Sequence, residues 1–209
     1  VFDDAVASVL GRPAGDHRVV MGGKTDPQIV LEVLAFALAD AGGGDEHVPA
    51  VLEALEKGLQ AAAEELRRDG CQLPGVAEVL PRLDAAGTRQ TLLTGNSAAN
   101  AAVKVAAFGL SSWLDLEIGA YGSDDPNRNA LVPVALERAR RLRALDIDPA
   151  EVWVVGDTPR DLACARAGGT RCLLVATGHC GLDELRAAGA DEVLEDLADV
   201  DAVVDLLLA

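Results

Sequence analysis

Residues 151–169 read EVWVVGDTPRDLACARAGG, and their reading decides the fold. Val152 to Val155 form an apolar run of strand length. Gly156-Asp157 ends it, Thr158 suits an N-cap, and Pro159 suits the first position of a helix that closes at Gly168-Gly169. A strand, an acidic tip and a short helix make up the repeating unit of an open parallel sheet. Ligands of such sheets bind beyond the carboxyl ends of the strands.

The same alternation extends in both directions. Strands are expected at 89–94, 115–122, 151–157, 171–178 and 191–196, with helices at 97–110, 132–145, 159–169 and 182–190 and a closing helix from Val200. Strands separated by helices of this length pair in parallel, which predicts a doubly wound α/β sheet. The first part differs. FDDAVASVLG, DPQIVLEVLAFALADAG and DEHVPAVLEALEKGLQAAAEELRRDG carry helical periodicity with no strand between them. Gly and Pro clusters separate them. A small helical unit is expected over residues 1–68 and the α/β core over 69–209.

Bulk properties narrow the function. The 209 residues are 50% hydrophobic but only 3% aromatic, an aliphatic, helix-rich composition with material for a real core. A formal net charge of −16 disfavours nucleic acid and anionic membrane surfaces as partners. No apolar run reaches membrane-spanning length. Cys71, Cys164, Cys172 and Cys180 form no C-x-x-C pair, so a zinc site or disulfide framework is not expected, and a reducing cytoplasm suits the chain.

Three strand ends carry chemistry. Thr94-Gly95-Asn96 closes the first strand before a helix. A hydroxyl and backbone N–H groups there form an anion cradle, and plain N-capping by Asn96 or Ser97 is the simpler alternative. In GDTPRD, a capping box accounts for Asp161 but leaves Asp157 unexplained at the strand tip. Two carboxylates four residues apart suit Mg²⁺, which takes few protein oxygens and leaves room for water and phosphate. The third end is the polar loop GSDDPNRN, where Arg128 is either a solvated cation or a balance for acidic and phosphoryl charge.

Taken in order, Thr94, Arg128 and GDTPRD resemble the second, third and fourth motifs of the haloacid dehalogenase-like superfamily. The helical first part resembles the C1-type cap of its phosphoglycolate phosphatase-like members. The resemblance implies a Mg²⁺-dependent phosphomonoester hydrolase that acts on a small phosphorylated metabolite through an aspartyl-phosphate, as a monomer or homodimer. Asp157 and Asp161 would hold the metal, and Thr94, Gly95 and Asn96 would bind phosphoryl oxygens. Arg128 would stand where the family usually has Lys, and Lys24 in GGKTDPQ would reach an anionic substrate from the cap. A phosphomutase, a 2-haloacid dehalogenase and a non-catalytic phosphate- or partner-binding member share these features. A receiver-like domain fits less well, because the acidic cluster falls late in the chain.

The first motif of that family, D-x-D-G-T, does not occur. Phe2-Asp3-Asp4 continues into an amphipathic helix instead. Without the strand that carries this motif, two neighbouring strands would face each other with unpaired N–H and C=O groups, a costly arrangement. A segment ahead of Val1 is therefore expected to supply the strand, the nucleophile and the general acid. The chain without it is expected to be inactive and poorly stable.

Overall fold

The computed structural model describes residues 1–39 and 42–209. Its first part is helical. α1 (Phe2–Leu10), α2 (Asp26–Ala37), α3 (Val48–Ala61) and α4 (Ala63–Asp69) follow one another with no strand among the described residues. Phe2, Asp3 and Asp4 open α1, as the periodicity predicts. Asp40 and Ala41, the expected end of the second helix, lie outside the described residues. One apolar cluster holds this part together: Val6 of α1, Ile29, Val30, Val33 and Leu34 of α2, and Val51 and Leu55 of α3. Their i, i+3, i+4 spacing gives each helix one apolar stripe, and three stripes facing inward exclude water. All members of this cluster fall between Phe2 and Leu55.

The second part alternates: α5 (Val76–Ala85), β1 (Leu93–Thr94), α6 (Ala98–Ala107), β2 (Ala120–Tyr121), α7 (Leu131–Arg143), β3 (Trp153–Gly156), α8 (Pro159–Gly168), β4 (Arg171–Val175), α9 (Leu182–Ala188), β5 (Glu192–Leu194) and α10 (Val200–Leu208). All pairing is parallel. β1 pairs with β2, and β3–β4–β5 form a second group. Side chains of β4 alternate between faces. Cys172 and Leu174 join a cluster with Val132, Leu162, Ala165 and Leu185 from α7, α8 and α9. On the other side, α5 and α10 pack through Val79, Leu83, Val203 and Val204. Helices thus cover both faces, as in a doubly wound sheet. Leu93 of β1 packs on the α7–α8–α9 cluster, so both strand groups rest on one core.

The strands are shorter than the apolar runs predicted. Between residues 115 and 122, only Ala120 and Tyr121 are extended, after a 3₁₀ turn at Leu116–Ile118. Side chains compete with the ladder there. The Arg143 guanidinium donates to both Asp115 carboxylate oxygens at 2.7 and 2.9 Å. The Tyr121 hydroxyl donates to the Leu116 carbonyl and the Thr91 hydroxyl to the Asp115 carbonyl.

β1 and β3 each have one paired edge among the described residues. Val155 of β3 is 46% exposed beside this break, unusual for a central-strand valine. A recess of about 220 Å³ adjoins it, walled by Val76, Val155, Val175 and Leu197 and reaching Asp157.

Candidate active site

The acidic tip forms because Gly156 has no side chain. A Cβ there would lie 2.3 Å from Asp161 Cγ, so only glycine lets the helix carboxylate fold back under the strand end. The capping box is complete. Thr158 Oγ1 accepts from the Asp161 amide, and Asp161 Oδ2 accepts from the Thr158 amide. Asp161 Oδ2 also accepts from the Asp157 amide at 3.1 Å and the Thr158 hydroxyl at 2.7 Å. Asp161 Oδ1 receives Arg128 Nη2. Asp161 is 3% exposed, and both its oxygens are engaged.

Asp157 is different. Its carboxylate sits at the strand tip against Gly178, with no Lys or Arg partner among the described residues. Burial pushes its carboxyl up from the ordinary range and the Asp161 charge pushes the same way; its own amide, Arg128 and His179 oppose them only in part. His179 is isolated in sequence, and the fold brings it within electrostatic reach of Asp157. A raised carboxylate without a cation is electrostatically short of positive charge.

Arg128 lies on a short turn just before α7. Its backbone carbonyl accepts from the Cys164 thiol at 3.0 Å, and its Nε–H is buried with no acceptor. An unpaired buried guanidinium N–H is costly unless an anion comes to it.

The Thr94 loop is tightly built. Thr94 Oγ1 accepts from the Asn96 amide at 3.2 Å. Ser97, rather than Asn96, caps α6, accepting from the Asn100 amide. Asn96 is thereby released for other contacts: its Nδ2 donates to Asp26 and its Oδ1 accepts from Lys104 Nζ. Gly95 must be glycine, since a Cβ would meet the Lys24 carbonyl at 2.1 Å.

Lys24 itself points elsewhere. Its ammonium pairs with Glu32 of α2. The pair lines a cleft of about 780 Å³ together with Arg18, Phe36 and Arg160. Gly23 packs beside it, with the Thr158 hydroxyl 2.8 Å from where a Cβ would be. The segment from Gly23 to Asp26 therefore touches both the Thr94 and Thr158 turns. Sequence reasoning singled out Lys24 there and missed Asp26, Gly23 and Arg160. The cluster of Gly, Thr, Asp and Pro in GGKTDP, ahead of an apolar helix, was the available signal.

Arg128, Asp157 and Asp161 are thus brought together, and the Thr94 turn joins them through Gly23–Asp26. No three His, Cys, Asp or Glu among the described residues lie close enough to hold a metal by themselves. No helix among them is long and apolar enough to cross a membrane.

These features define an open parallel α/β protein with an acidic strand-end site overhung by a helical unit. The HAD-hydrolase-like family model matches residues 129–200. The plasmid-borne phosphoglycolate phosphatase of Cupriavidus necator is 31% identical over 199 residues, covering 93% of this chain and 80% of that protein. The probable phosphatase IndB of Dickeya dadantii is 31% identical over 139 residues, 66% of this chain and 58% of that one. Among solved structures, a hydrolase from Pseudomonas syringae superposes with a TM-score of 0.70 at 19% identity, covering 100% of this chain and 90% of its own. CbbY from Rhodobacter sphaeroides, in complex with phosphate, gives 0.63 at 20% identity, covering 98% and 89%. The chain belongs to the haloacid dehalogenase-like hydrolases.

Proposed function

We propose that this protein is a Mg²⁺-dependent phosphomonoester hydrolase acting on a small phosphorylated metabolite through an aspartyl-phosphate. One observation carries the reading. Asp157 presents a half-buried carboxylate with a raised pKa and no protein cation, beside a neutralised Asp161–Arg128 pair. Hard oxygen donors of this kind fit Mg²⁺, with Asp157 as the direct ligand. Asp161 has both oxygens occupied, so it would act through water or through its charge. The bound ion would offset phosphoryl charge in the transition state.

The rest is work for the chain's own groups. The Thr94 hydroxyl and the Gly95 amide would bind phosphoryl oxygens at the helix N-terminus. The free Nε–H of Arg128 would hold the attacking carboxylate, which would come from a strand seated between β1 and β3. That carboxylate would attack phosphorus, expel the alcohol, and yield the phosphoryl group to water. Residues 1–68 would serve as the cap that covers the leaving group and excludes solvent. The similarity to proteins named as phosphatases supports the substrate class. The free state of all four cysteines suits a reducing cytoplasm.

Hydrolysis of para-nitrophenyl phosphate by the full-length protein, with and without Mg²⁺, tests the reading. Metal-dependent release of nitrophenolate is the expected result; no release under either condition sinks it.

A further inference from the structure

Asp26 is an unusual residue for the first turn of a helix. An acid there ordinarily faces its own helix amides in solvent. Asp26 is instead 2% exposed, and its contacts all lead to the Thr94 turn. Its amide donates to the Gly95 carbonyl at 2.7 Å. Its Oδ1 accepts from Asn96 Nδ2 and its Oδ2 from the Ser97 amide, both at 3.0 Å. No Lys or Arg pairs with it directly among the described residues; the nearest cation in the network, Lys104, reaches it only through Asn96. A carboxylate buried among neutral donors is costly to maintain, and every donor here belongs to one loop.

Neighbouring contacts fix the joint. The Thr25 hydroxyl donates to the Pro126 carbonyl at 2.7 Å, in the loop that precedes Arg128. The Gly122 amide donates to the Asn96 carbonyl at 2.8 Å. A Cβ on Gly122 would lie 1.9 Å from the Gly95 carbonyl oxygen, so these backbones are in direct contact. Thr94 then depends on Asp26 through two steps. Asp26 holds Asn96, and the Asn96 amide holds Thr94 Oγ1, leaving the Thr94 hydroxyl proton free to donate outward.

We propose that Asp26 is the positioning residue of the anion-binding turn, which makes the cradle a joint product of the helical unit and the core. This rests on the phosphatase reading, because it assigns Thr94-Gly95-Asn96 to the phosphoryl group. The cradle has its binding geometry only while the Gly23–Asp26 segment is seated against the strand ends. Seating of the helical unit and capture of phosphate are therefore coupled, and each favours the other.

The test measures the affinity of the full-length protein for inorganic phosphate by calorimetry in the presence of Mg²⁺. Asp26→Asn keeps the side-chain size but puts an amide where a charged acceptor stood. It is expected to weaken phosphate binding about tenfold, with Asn96→Ala similar and the double variant little worse than either. Multiplied effects, or an Asp26→Asn variant that melts earlier but binds phosphate normally, overturn the inference and leave the hydrolase reading intact. Wild-type protein that does not bind phosphate overturns both. Should Asp26→Asn fail to fold, the wild-type protein decides by NMR. The Asp26 carboxylate carbon is expected to shift in step with the Gly95 amide during phosphate titration, and a stationary Asp26 signal overturns the inference.

Discussion

Gly156 and Asp157 divide one task between them. The glycine makes room for Asp161 to fold back, and the fold-back leaves Asp157 as the free carboxylate. Gly156→Ala would place a methyl 2.3 Å from Asp161 Cγ, against atoms that a buried ion pair holds in place. The expected cost is about 1–3 kcal/mol, read as a lower thermal midpoint. Gly181→Ala is the control, since nothing lies within 4 Å of its added carbon, and it should leave the midpoint within about 0.5 kcal/mol of wild type. In the full-length protein, Asp157→Asn is expected to cut Mg²⁺-dependent turnover of para-nitrophenyl phosphate on the order of a hundredfold or more. It should not destabilise the metal-free fold, because it removes a carboxylate that burial penalises. Asp157 was legible in the sequence, because an acid directly after an apolar run has nowhere to go but the strand tip. Asp26 was not. Its partners lie 70 and 71 residues away, and no local pattern distinguishes it from an ordinary first-turn acid.

At the level of elements, the alternation of strands and helices was legible, but strand lengths were not. The run at 115–122 has the composition of a strand, yet Arg143, Tyr121 and Thr91 take up backbone and carboxylate groups around Asp115 and coil part of it. These competitors come from other elements, so only the folded chain reveals them. A comparable tie joins β2 to α7. Arg138 grips Asp124 with two bonds of 2.7 Å, and the Tyr121 amide donates to the same carboxylate at 2.9 Å. Burial pushes the Asp124 carboxyl up, but the Arg138 fork and that amide outweigh it, and the net shift is downward. A depressed folded value means the stabilisation is fully present above the ordinary carboxyl range. It fades as pH falls through the depressed value. Asp124→Asn should cost about 1–2 kcal/mol near neutral pH, and the difference from wild type should shrink in acid. Denaturant melts at several pH values check this. The buried cysteines offer a second reading of the same packing. Burial, with help from the Asp161 and Asp191 charges, pushes the Cys172 thiol up to about 12, while Cys71 is exposed. Thiol reagents at neutral pH should therefore label Cys71 quickly and Cys172 only on unfolding.

Across the whole molecule, the dominant feature is the break between β1 and β3. Each strand of the break is paired on one side only, Val155 stands 46% exposed, and the apolar recess below it ends at Asp157. Arg128 keeps a buried N–H without an acceptor near the same tip. A parallel strand placed in the break would pair both edges, cover Val155, fill the recess with an apolar side chain and bring its carboxyl end beside Asp157 and Arg128. One missing strand thus accounts for an unsatisfied backbone, an unfilled volume and an unpaired donor together. That makes strand insertion a stronger account than a separate explanation for each. Burial of a few hundred Å² of apolar surface would stabilise the fold by roughly 5–10 kcal/mol before the entropy of ordering the strand. A protein extended by an N-terminal strand with aspartate at its tip should therefore melt well above the 209-residue chain and protect the β1 and β3 amides from hydrogen exchange. It should also release nitrophenolate from para-nitrophenyl phosphate, which the 209-residue chain alone should not do. Equal melting temperatures and equal exchange in the two proteins would mean that the break is not a seat for a strand. The attacking carboxylate would then have to reach Asp157 and Arg128 from another direction.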